Sequence, residues 1–257
     1  MEEKVFFKNS KGLNLASIIN YPDKKKQYPA IIILHGFTGY KEEAHLEGLA
    51  KILAENGYVA ARFDCSGSGE SDGTFEKDYS VSNYLEDIEA IRDYVQCLDF
   101  VNKDKVGIAG HSMGGMLAVI YTSQNLEVKV CVAISPPTAM VVTNWIKAAI
   151  TEWERVGWLY EEILKDGSQI KIPFSFILDA NKYNALDSVE KMRCPLLLIL
   201  GLADEVVSPD DSKKIFKVAN EPKELFEIKE MSHDYGKSDN LIKIIDGKIL
   251  DFLKKYL

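Results

Sequence analysis

The stretch Val106-Gly107-Ile108-Ala109-Gly110-His111-Ser112-Met113-Gly114-Gly115 carries the most specific pattern of this 257-residue chain. It begins as an apolar strand, and the residues after the serine have the composition of a helix. Between the two stands a match to G-x-S-x-G, the pattern of a sharp turn that lifts a serine hydroxyl above the edge of a sheet. Gly110 and Gly114 flank the serine because side chains there would clash in such a turn. The pattern therefore predicts a strand, a tight turn with a nucleophilic Ser112, and a helix.

A glycine-rich junction between a strand and a helix also occurs in nucleotide-binding proteins. The dinucleotide pattern G-x-G-x-x-G and the phosphate-binding pattern G-x-x-x-x-G-K-[ST] are both absent from the sequence. A helix that starts directly after the serine presents backbone N–H groups and a dipole that favours negative charge near the hydroxyl. The stretch therefore favours a nucleophile over a nucleotide site.

Apolar strands and amphipathic helices alternate along the rest of the chain. The strands are predicted at Ala30–Leu34, Tyr58–Phe63, Val106–Ala109, Val128–Ile134, Leu196–Leu200 and Leu225–Ile228. The segments 81–95 and 241–252 have apolar residues at helical spacing. Strands that are apolar throughout and separated by such helices specify an α/β fold, with a mostly parallel sheet covered on both faces. The runs Val5–Lys8 and Leu13–Asn20 predict an antiparallel hairpin at the edge of that sheet.

The composition limits the class of protein. With 46% hydrophobic and 27% charged residues, the chain is neither disordered nor of low complexity. Its longest apolar runs have strand length, far short of the roughly 20 residues of a membrane helix. The charged start, Met1–Phe7, predicts no signal peptide, so we expect a soluble, cytoplasmic protein without a membrane span. The net charge of −8 argues against nucleic acid or another polyanion as partner.

The cysteines stand singly among apolar neighbours, without a C-x-x-C pair. They are Cys65, Cys97, Cys131 and Cys194. This spacing indicates neither a zinc site nor a redox dithiol. We expect reduced, mostly buried thiols, with a disulfide as the alternative, and no metal site.

A nucleophilic serine needs a base, and the chain has four histidines. His111 adjoins the serine, so its side chain points elsewhere in the turn. His35 ends a central strand, and His45 belongs to a helical segment with the composition of a protein surface. His233 lies between a strand and the last helix, at the carboxyl edge of the sheet where the serine also lies. We therefore predict that His233 takes the serine proton and returns it to the leaving group.

A carboxylate is expected to orient that histidine and to stabilise its cationic form. Asp204 follows the strand Leu196–Leu200 and so lies at the same edge of the sheet. Glu205 is the nearest competitor, but it points away if Asp204 points in. Asp210 and Asp211 come directly after Ser208-Pro209, a pattern that predicts a helix N-terminus with acidic residues in its first turn. Asp204 is therefore the predicted third member.

The oxyanion of an acyl-transfer intermediate needs two N–H donors. One is predicted to be the backbone N–H of Met113, the residue after the nucleophile, and the other comes from the loop after the central strand. That loop is His35–Gly39, in which Gly36 permits a close approach of the backbone and Phe37 supplies the candidate N–H. Taken alone, the loop fits an ordinary turn between a strand and a helix equally well.

Residues 137–190 separate two strands that a helix of ordinary length would join, so we expect one domain with an inserted helical cap. The apolar spacing in this insertion predicts a helix with a wide apolar face. Its residues are Ile146, Ile150, Trp153, Val156 and Ile163. The aromatic residues either line an acyl or aryl pocket or dock the helix onto the domain. They are Trp145, Trp153, Trp158 and Tyr160. Polar candidates for a phenolic hydroxyl are Asp179, Asn181, Lys182 and Tyr183.

With these motifs the chain resembles the α/β-hydrolases. It is most similar to the bacterial cinnamoyl and feruloyl esterases and to the related monoacylglycerol-lipase-like and serine-aminopeptidase-like hydrolases. The resemblance is carried by His35–Gly39, Arg62–Gly73, Gly110–Gly115, Gly201–Val207 and His233. The chain order of serine, aspartate and histidine is that of α/β-hydrolases, and it differs from chymotrypsin and subtilisin.

The segment Arg62–Gly73 resembles the family pattern D-x-x-G-x-G-x-S. It keeps Asp64, Gly67, Gly69 and Ser71. The resemblance implies that Asp64 and Ser71 fix the loop by hydrogen bonds. Two positions depart from the family: members often have His where Ser68 stands, and the esterase branch has Gln where Met113 stands.

The resemblance implies a serine carboxylic ester hydrolase that forms an acyl-enzyme on small-molecule aryl or medium-chain acyl esters, without a cofactor. A thioesterase, an acyltransferase or a peptidase uses the same intermediate with other acceptors. A non-catalytic ligand-binding member of the fold is the alternative from another class, and such proteins usually lack a triad member. The oligomeric state stays open, a homodimer included.

Overall fold

The alternation of strands and helices builds a twisted α/β structure in the computed structural model, which describes residues 1–162 and 169–257, with only the backbone of Glu162. The strands are β1 (Glu2–Lys8), β2 (Asn14–Asn20), β3 (Tyr28–Leu34), β4 (Val59–Phe63), β5 (Val101–His111), β6 (Cys131–Ile134), β7 (Trp158–Glu162), β8 (Gln169–Pro173), β9 (Leu196–Gly201) and β10 (Lys223–Ile228). The helices are α1 (Ala44–Glu55), α2 (Val81–Gln96), α3 (Met113–Gln124), α4 (Asn144–Val156), α5 (Ser175–Ala180), α6 (Ala185–Val189), α7 (Pro209–Val218) and α8 (Asp239–Tyr256).

The central sheet has eight strands in the order β1-β2-β4-β3-β5-β6-β9-β10. All neighbours from β4 to β10 pair in parallel, whereas β1 pairs antiparallel with β2 and β2 antiparallel with β4. The predicted mostly parallel sheet and its antiparallel edge are therefore confirmed. The carboxyl ends of β3, β5, β6, β9 and β10 meet at one edge, and side chains that follow these strands lie close together there.

Helices cover both faces of the sheet. Successive side chains of each strand point to opposite faces, so each strand contributes side chains to both cores. In β3, Ile31 and Ile33 belong to the core cluster formed with α1 and α8, while Ile32 and Leu34 belong to the cluster formed with α2 and α3. This double burial explains why the parallel strands are apolar at every position. No helix in the described ranges is long and apolar enough to cross a membrane.

The insertion between β6 and β9 contains both helices and strands. The predicted helix is α4, but it ends at Val156, because Gly157 adopts a left-handed conformation (φ 82°) that terminates a helix. The chain then forms the antiparallel hairpin of β7 and β8. The predicted apolar face is therefore shorter than expected: Val156 is exposed, and Ile163 lies outside the described residues.

Trp153 holds the insertion together internally, and Asp179 attaches it to the rest of the chain. The Trp153 side chain is buried, and its indole N–H donates to the carbonyl of Ile172 at 3.0 Å. The Asp179 carboxylate accepts the backbone N–H and the hydroxyl of Ser82 at 2.8 and 2.6 Å, at the start of α2. The hydroxyls of Tyr183 and Ser82 lie 2.7 Å apart. These polar residues therefore hold the insertion against the N-terminus of α2. The helix dipole favours a carboxylate at that end.

Candidate active site

Ser112 stands in a strained turn between β5 and α3. Its backbone has φ 55° and ψ −121°, a left-handed conformation that costs a non-glycine residue about 1–3 kcal/mol. A Cβ at Gly114 would lie 2.5 Å from the carbonyl oxygen of Leu34, and one at Gly110 would clash with the Gly114 backbone. The two glycines are thus required by the turn, as the sequence predicted.

The hydroxyl of Ser112 is hydrogen-bonded to His233, which is in turn hydrogen-bonded to Asp204. The Ser112 Oγ lies 3.0 Å from His233 Nε2, and His233 Nδ1 lies 2.8 Å from Asp204 Oδ2. An ionised carboxylate only accepts hydrogen bonds, so Nδ1 donates to Asp204 and Nε2 is left to accept the serine proton. The structure therefore brings together the three residues that the sequence singled out, in the order that general-base activation of a serine requires.

The loop after β3 lies against the serine. A Cβ at Gly36 would be 3.4 Å from the Ser112 Cβ and 3.9 Å from its Oγ. Within the described ranges, the N–H groups of Phe37 and Met113 donate to no protein acceptor. Met113 begins α3, and the first N–H groups of a helix have no partner inside it. These two N–H groups belong to the residues that follow Gly36 and Ser112, and neither has a protein partner in the described ranges.

His35 shapes this loop and does not act on the serine. It is fully buried, its Nδ1 lies 2.8 Å from the carbonyl oxygen of Gly36, and its Nε2 accepts the N–H of Cys65 at 3.3 Å. Burial lowers the pKa of His35 below its usual value, which keeps the ring neutral and so able to donate from one nitrogen and accept at the other.

His45 and His111 are buried next to His233, with the His45 and His111 rings edge to face. The ring centroids of His45 and His111 lie 5.1 Å apart, and those of His111 and His233 lie 4.8 Å apart. Burial lowers the pKa of His45 to about 4 and that of His111 well below its usual value. The prediction of a surface position for His45 was wrong, because the loop after β10 covers it with Tyr235.

Asp211, another acidic candidate, has a structural partner. Asp211 accepts the backbone N–H and the hydroxyl of Thr138 at 2.8 and 3.0 Å, which holds α7 against the start of the insertion. The hydroxyl of Ser208 makes no hydrogen bond at the start of α7, although the sequence favours it as the cap. Neither residue takes part in the relay of Ser112.

Comparison with known proteins assigns the family. Residues 29–184 match the family model described as the alpha/beta hydrolase fold. The chain belongs to this family. Among sequence relatives of this α/β-hydrolase, an uncharacterized 31.7 kDa protein of Escherichia coli is 26% identical over 266 residues, with 88% of this chain and 90% of the relative covered. Human mitochondrial palmitoyl-protein thioesterase ABHD10 is 26% identical over 192 residues, which cover 73% of this chain and 60% of the thioesterase.

A solved structure of an esterase is also similar. Est1E of Butyrivibrio proteoclasticus, determined with ferulic acid bound, is 27% identical and superposes with a TM-score of 0.79, covering 98% of this chain and 99% of Est1E. The fold, together with esterase and thioesterase relatives, indicates that this α/β-hydrolase is a hydrolytic enzyme.

The aromatic candidates of this α/β-hydrolase lie in different environments. Trp145 packs against Phe37, with ring centroids 5.0 Å apart. Trp153 is buried inside the insertion, as described above. Trp158 packs under the Lys171 ammonium, 3.8 Å from the ring centroid, and Tyr160 is exposed on the same hairpin. Of these four candidates, Trp145 is therefore the one that contacts the loop facing Ser112 within the described ranges.

A cavity of about 520 Å³ flanks the loop after β3. Its walls come from that loop, from the glycine-rich loop after β4 and from β8, and they include Thr38, Gly67, Gly73 and Lys171. The sequence did not predict this cavity, because its walls are brought together from three separate segments. In the described ranges, no group of three or more His, Cys, Asp and Glu side chains is arranged to hold a metal ion.

Proposed function

We propose that this α/β-hydrolase is a serine carboxylic ester hydrolase that works through an acyl-enzyme. The observation that carries the proposal is the continuous hydrogen-bonded relay from Ser112 Oγ through the His233 ring to Asp204. A serine hydroxyl is a weak nucleophile unless an adjacent base removes its proton. Here the base is 3.0 Å away and its other nitrogen is fixed by a carboxylate.

In acylation, Ser112 Oγ forms a bond to the carbonyl carbon of the ester while His233 Nε2 takes the hydroxyl proton. The carbonyl π electrons move to oxygen, and the N–H groups of Phe37 and Met113 donate to the resulting oxyanion. Collapse of the intermediate breaks the bond to the leaving oxygen, which receives the proton from His233. The carboxylate of Asp204 stabilises the imidazolium during this step.

In deacylation, a water molecule takes the place of the leaving alcohol. His233 removes a proton from the water as its oxygen attacks the acyl carbon, and then returns it to Ser112 Oγ. The products are a carboxylic acid and the free enzyme. The same intermediate reacts with another alcohol or with an amine if water is excluded, so the acceptor is set by the pocket and not by the relay.

Aryl or medium-chain acyl esters are the proposed substrates. The ring of Phe37 packs against Trp145 and against Phe176, at centroid distances of 5.0 and 5.1 Å. An aromatic wall beside the nucleophile suits an apolar acyl or aryl group. The similarity to Est1E with bound ferulic acid supports the aryl alternative.

Thioester hydrolysis is the second candidate. The observation that favours it is the similarity to the palmitoyl-protein thioesterase ABHD10. Initial rates with methyl ferulate, p-nitrophenyl butyrate, a monoacylglycerol, an S-palmitoyl peptide and an aminoacyl anilide separate the esterase, lipase, thioesterase and peptidase alternatives. The proposal expects kcat/KM for one of the oxygen esters to exceed that for the thioester and the anilide.

The substitution Ser112→Ala tests the nucleophile directly. We expect the loss of p-nitrophenyl butyrate turnover by about 10⁴-fold or more, with an unchanged melting temperature. Ser123→Ala is a matched control, because the Ser123 hydroxyl only bonds the Ile120 carbonyl in α3, and it should keep full activity. Wild-type turnover in Ser112→Ala would refute the proposal, and failure of the wild-type serine to react with a fluorophosphonate would favour a non-catalytic binding protein.

A further inference from the structure

Lys41 closes the loop after β3, and Asp64 at the end of β4 holds it. The Asp64 Oδ1 accepts the backbone N–H of Lys41, and Asp64 Oδ2 accepts from Lys41 Nζ, both at 2.7 Å. Neither side chain is exposed to solvent. One buried carboxylate thus binds both the main chain and the side chain of a residue four positions after Phe37.

The carbonyl group of Lys41 is held as well. It accepts from Arg62 Nη1 at 2.8 Å, and Arg62 Nη2 donates to Glu2 at 3.0 Å. The Arg62 side chain is 1% exposed. Both polar groups of the Lys41 main chain are therefore bound by charged side chains from β4 and the residue after it.

The loop after β4 is built around the same carboxylate. The Asp64 Oδ2 accepts the N–H of Glu70 at 2.9 Å, and a Cβ at Gly69 would collide with the carboxylate. The Ser71 hydroxyl donates to the Asp64 carbonyl at 2.6 Å. The residues of the pattern D-x-x-G-x-G-x-S therefore form a loop around the Asp64 carboxylate, which is directed toward Lys41.

The Lys41 ammonium also donates to Glu70 Oε2 at 2.6 Å and lies 3.1 Å from Glu42 Oε1, so it is shared by three carboxylates. Stability alone does not account for the burial of Lys41 and Asp64. Removing two charges from water costs several kcal/mol per ion, and apolar residues of the same size are often as stable or more stable. What the pair provides is a fixed position for the end of a loop. The loop has other attachments at His35 and at Thr38, whose N–H donates to the Tyr79 hydroxyl at 2.7 Å. The carbonyl of Phe37 accepts the Thr38 hydroxyl at 2.7 Å, but within the described ranges the Phe37 N–H donates to no protein acceptor.

We propose that Asp64, acting through Lys41, is the positioning residue for the Phe37 N–H in the oxyanion site. The inference rests on the proposed function, because the position of that N–H matters only if an oxyanion forms beside Ser112. A donor aimed at the oxyanion acts mainly in the transition state, so its displacement lowers kcat and leaves KM nearly unchanged.

Two double variants distinguish the effect of holding the N–H of residue 41 from the effect of the Lys41–Asp64 ion pair. In K41M/D64N the single asparagine oxygen can still accept the N–H of residue 41, whereas in K41M/D64L residue 41 has no acceptor at this position. Both variants lack the ion pair, and in both the Glu70 N–H loses the acceptor that Asp64 Oδ2 provides. We expect kcat for p-nitrophenyl butyrate to fall about 100-fold in K41M/D64L at a KM within about threefold of the wild type. In K41M/D64N we expect kcat within about fivefold of the wild type, because the main-chain bond is kept.

The affinity for an aryl trifluoromethyl ketone is a second measurement. It would stay unchanged if Asp64 had only a structural role. This inhibitor adds to the serine as a hemiketal oxyanion, so its Ki should rise in K41M/D64L by the same factor as kcat falls. Equal kcat values in the two double variants, or a loss confined to KM, would overturn the proposal. Circular dichroism and thermal melts show whether both variants fold.

If K41M/D64L does not fold, Arg62→Met carries the test, since methionine has no donor for the Lys41 carbonyl and the substitution leaves Asp64 in place. A fall in kcat of about tenfold at constant KM supports the proposal, and an unchanged kcat overturns it. Ser112→Ala in the same assays separates the two claims. If that variant is inactive while the Asp64 and Arg62 variants keep wild-type kcat, only the positioning proposal fails.

Discussion

The Asp204 carboxylate binds His233 with one oxygen and its own loop with the other. The Oδ2 atom lies 2.8 Å from His233 Nδ1, while Oδ1 accepts the N–H groups of Val206 and Val207 at 2.9 and 2.8 Å. The carboxylate is therefore oriented by the backbone that follows β9, independently of the histidine. A histidine that meets such a fixed acceptor is held in one tautomer and one ring orientation.

This arrangement predicts a large effect of Asp204→Asn on catalysis. The asparagine oxygen can still accept the two backbone N–H groups, which places the amide NH₂ opposite His233 Nδ1. The histidine must then carry its proton on Nε2, where it cannot accept from Ser112. We expect kcat to fall by about 10⁴-fold, the scale known for a wrong tautomer in a serine protease, with a normal melting temperature.

Glu205→Gln is the matched control for that variant, because it neutralises the neighbouring acid. Steady-state kinetics of the two variants with p-nitrophenyl butyrate should show kcat within about twofold of the wild type for Glu205→Gln. A similar loss of kcat in both variants would show that Asp204 is not the residue that orients His233.

Two glycine substitutions, one in the turn at Ser112 and one in α8, should have opposite effects on the free energy of unfolding. In Gly114→Ala, the new Cβ meets the carbonyl oxygens of Leu34 and His35 at 2.5 and 2.6 Å, which are backbone atoms that cannot move freely. We expect a loss of about 3 kcal/mol or more in the free energy of unfolding. In Gly247→Ala, within α8, the new Cβ has no atom within 4 Å, and we expect a gain of about 0.5–1 kcal/mol. Urea titrations measure both, and a destabilised Gly247→Ala would contradict the second expectation.

Asp246 predicts how stability depends on pH. Burial in α8 raises the pKa of its carboxyl from 3.8 to about 7. The native state therefore keeps a proton that the unfolded chain loses above pH 4, so this residue lowers the stability progressively as pH rises from about 4 to about 7. Asp246→Asn removes the titration. We expect it to stabilise the protein by about 2–4 kcal/mol at pH 8 and by less than about 1 kcal/mol at pH 4.

Melting curves of the wild type and Asp246→Asn at several pH values test this expectation. The difference between the two proteins should grow across the interval from pH 4 to pH 7 and stay constant above it. A difference that is the same at pH 4 and pH 8 would show that the carboxyl does not titrate in that interval.

The packing of Trp145 on Phe37 predicts a role in substrate affinity. Removing the indole in Trp145→Ala takes away part of the aromatic wall beside Ser112, and one apolar contact of this kind is worth about 1–3 kcal/mol. We expect KM for p-nitrophenyl butyrate to rise about tenfold. Leu178→Ala is the control, because Leu178 is exposed on α5 of the same insertion, and its KM should stay at the wild-type value. Equal KM values for the two variants would place the acyl group elsewhere.

The relay was predictable because each member lies in the loop or turn that follows a predicted strand. The runs that become β5, β9 and β10 identify the strands, and parallel strands bring their carboxyl ends to one edge of the sheet. The position of Ser112, Asp204 and His233 in the chain therefore sufficed to place them together. The glycines around Ser112 specify the turn for the same local reason.

Other features depend on residues distant in the sequence, and local composition does not reveal them. The run Lys41-Glu42-Glu43 has the charge of a solvated surface, yet Lys41 is fully buried because Asp64, 23 positions later, binds it. The end of α4 did have a local signal, since a glycine after a helix commonly terminates it, and Gly157 does so. The hairpin after it has no strong alternation, so the sequence could not distinguish it from a continued helix.

The most direct test of the relay is covalent labelling of the intact protein with a fluorophosphonate, followed by peptide mass spectrometry. The account predicts an adduct on the peptide that contains Ser112, no adduct there in Ser112→Ala, and a rate of labelling at least about 10³-fold lower in His233→Ala. Labelling of another residue, or an undiminished rate without the His233 imidazole, would contradict it.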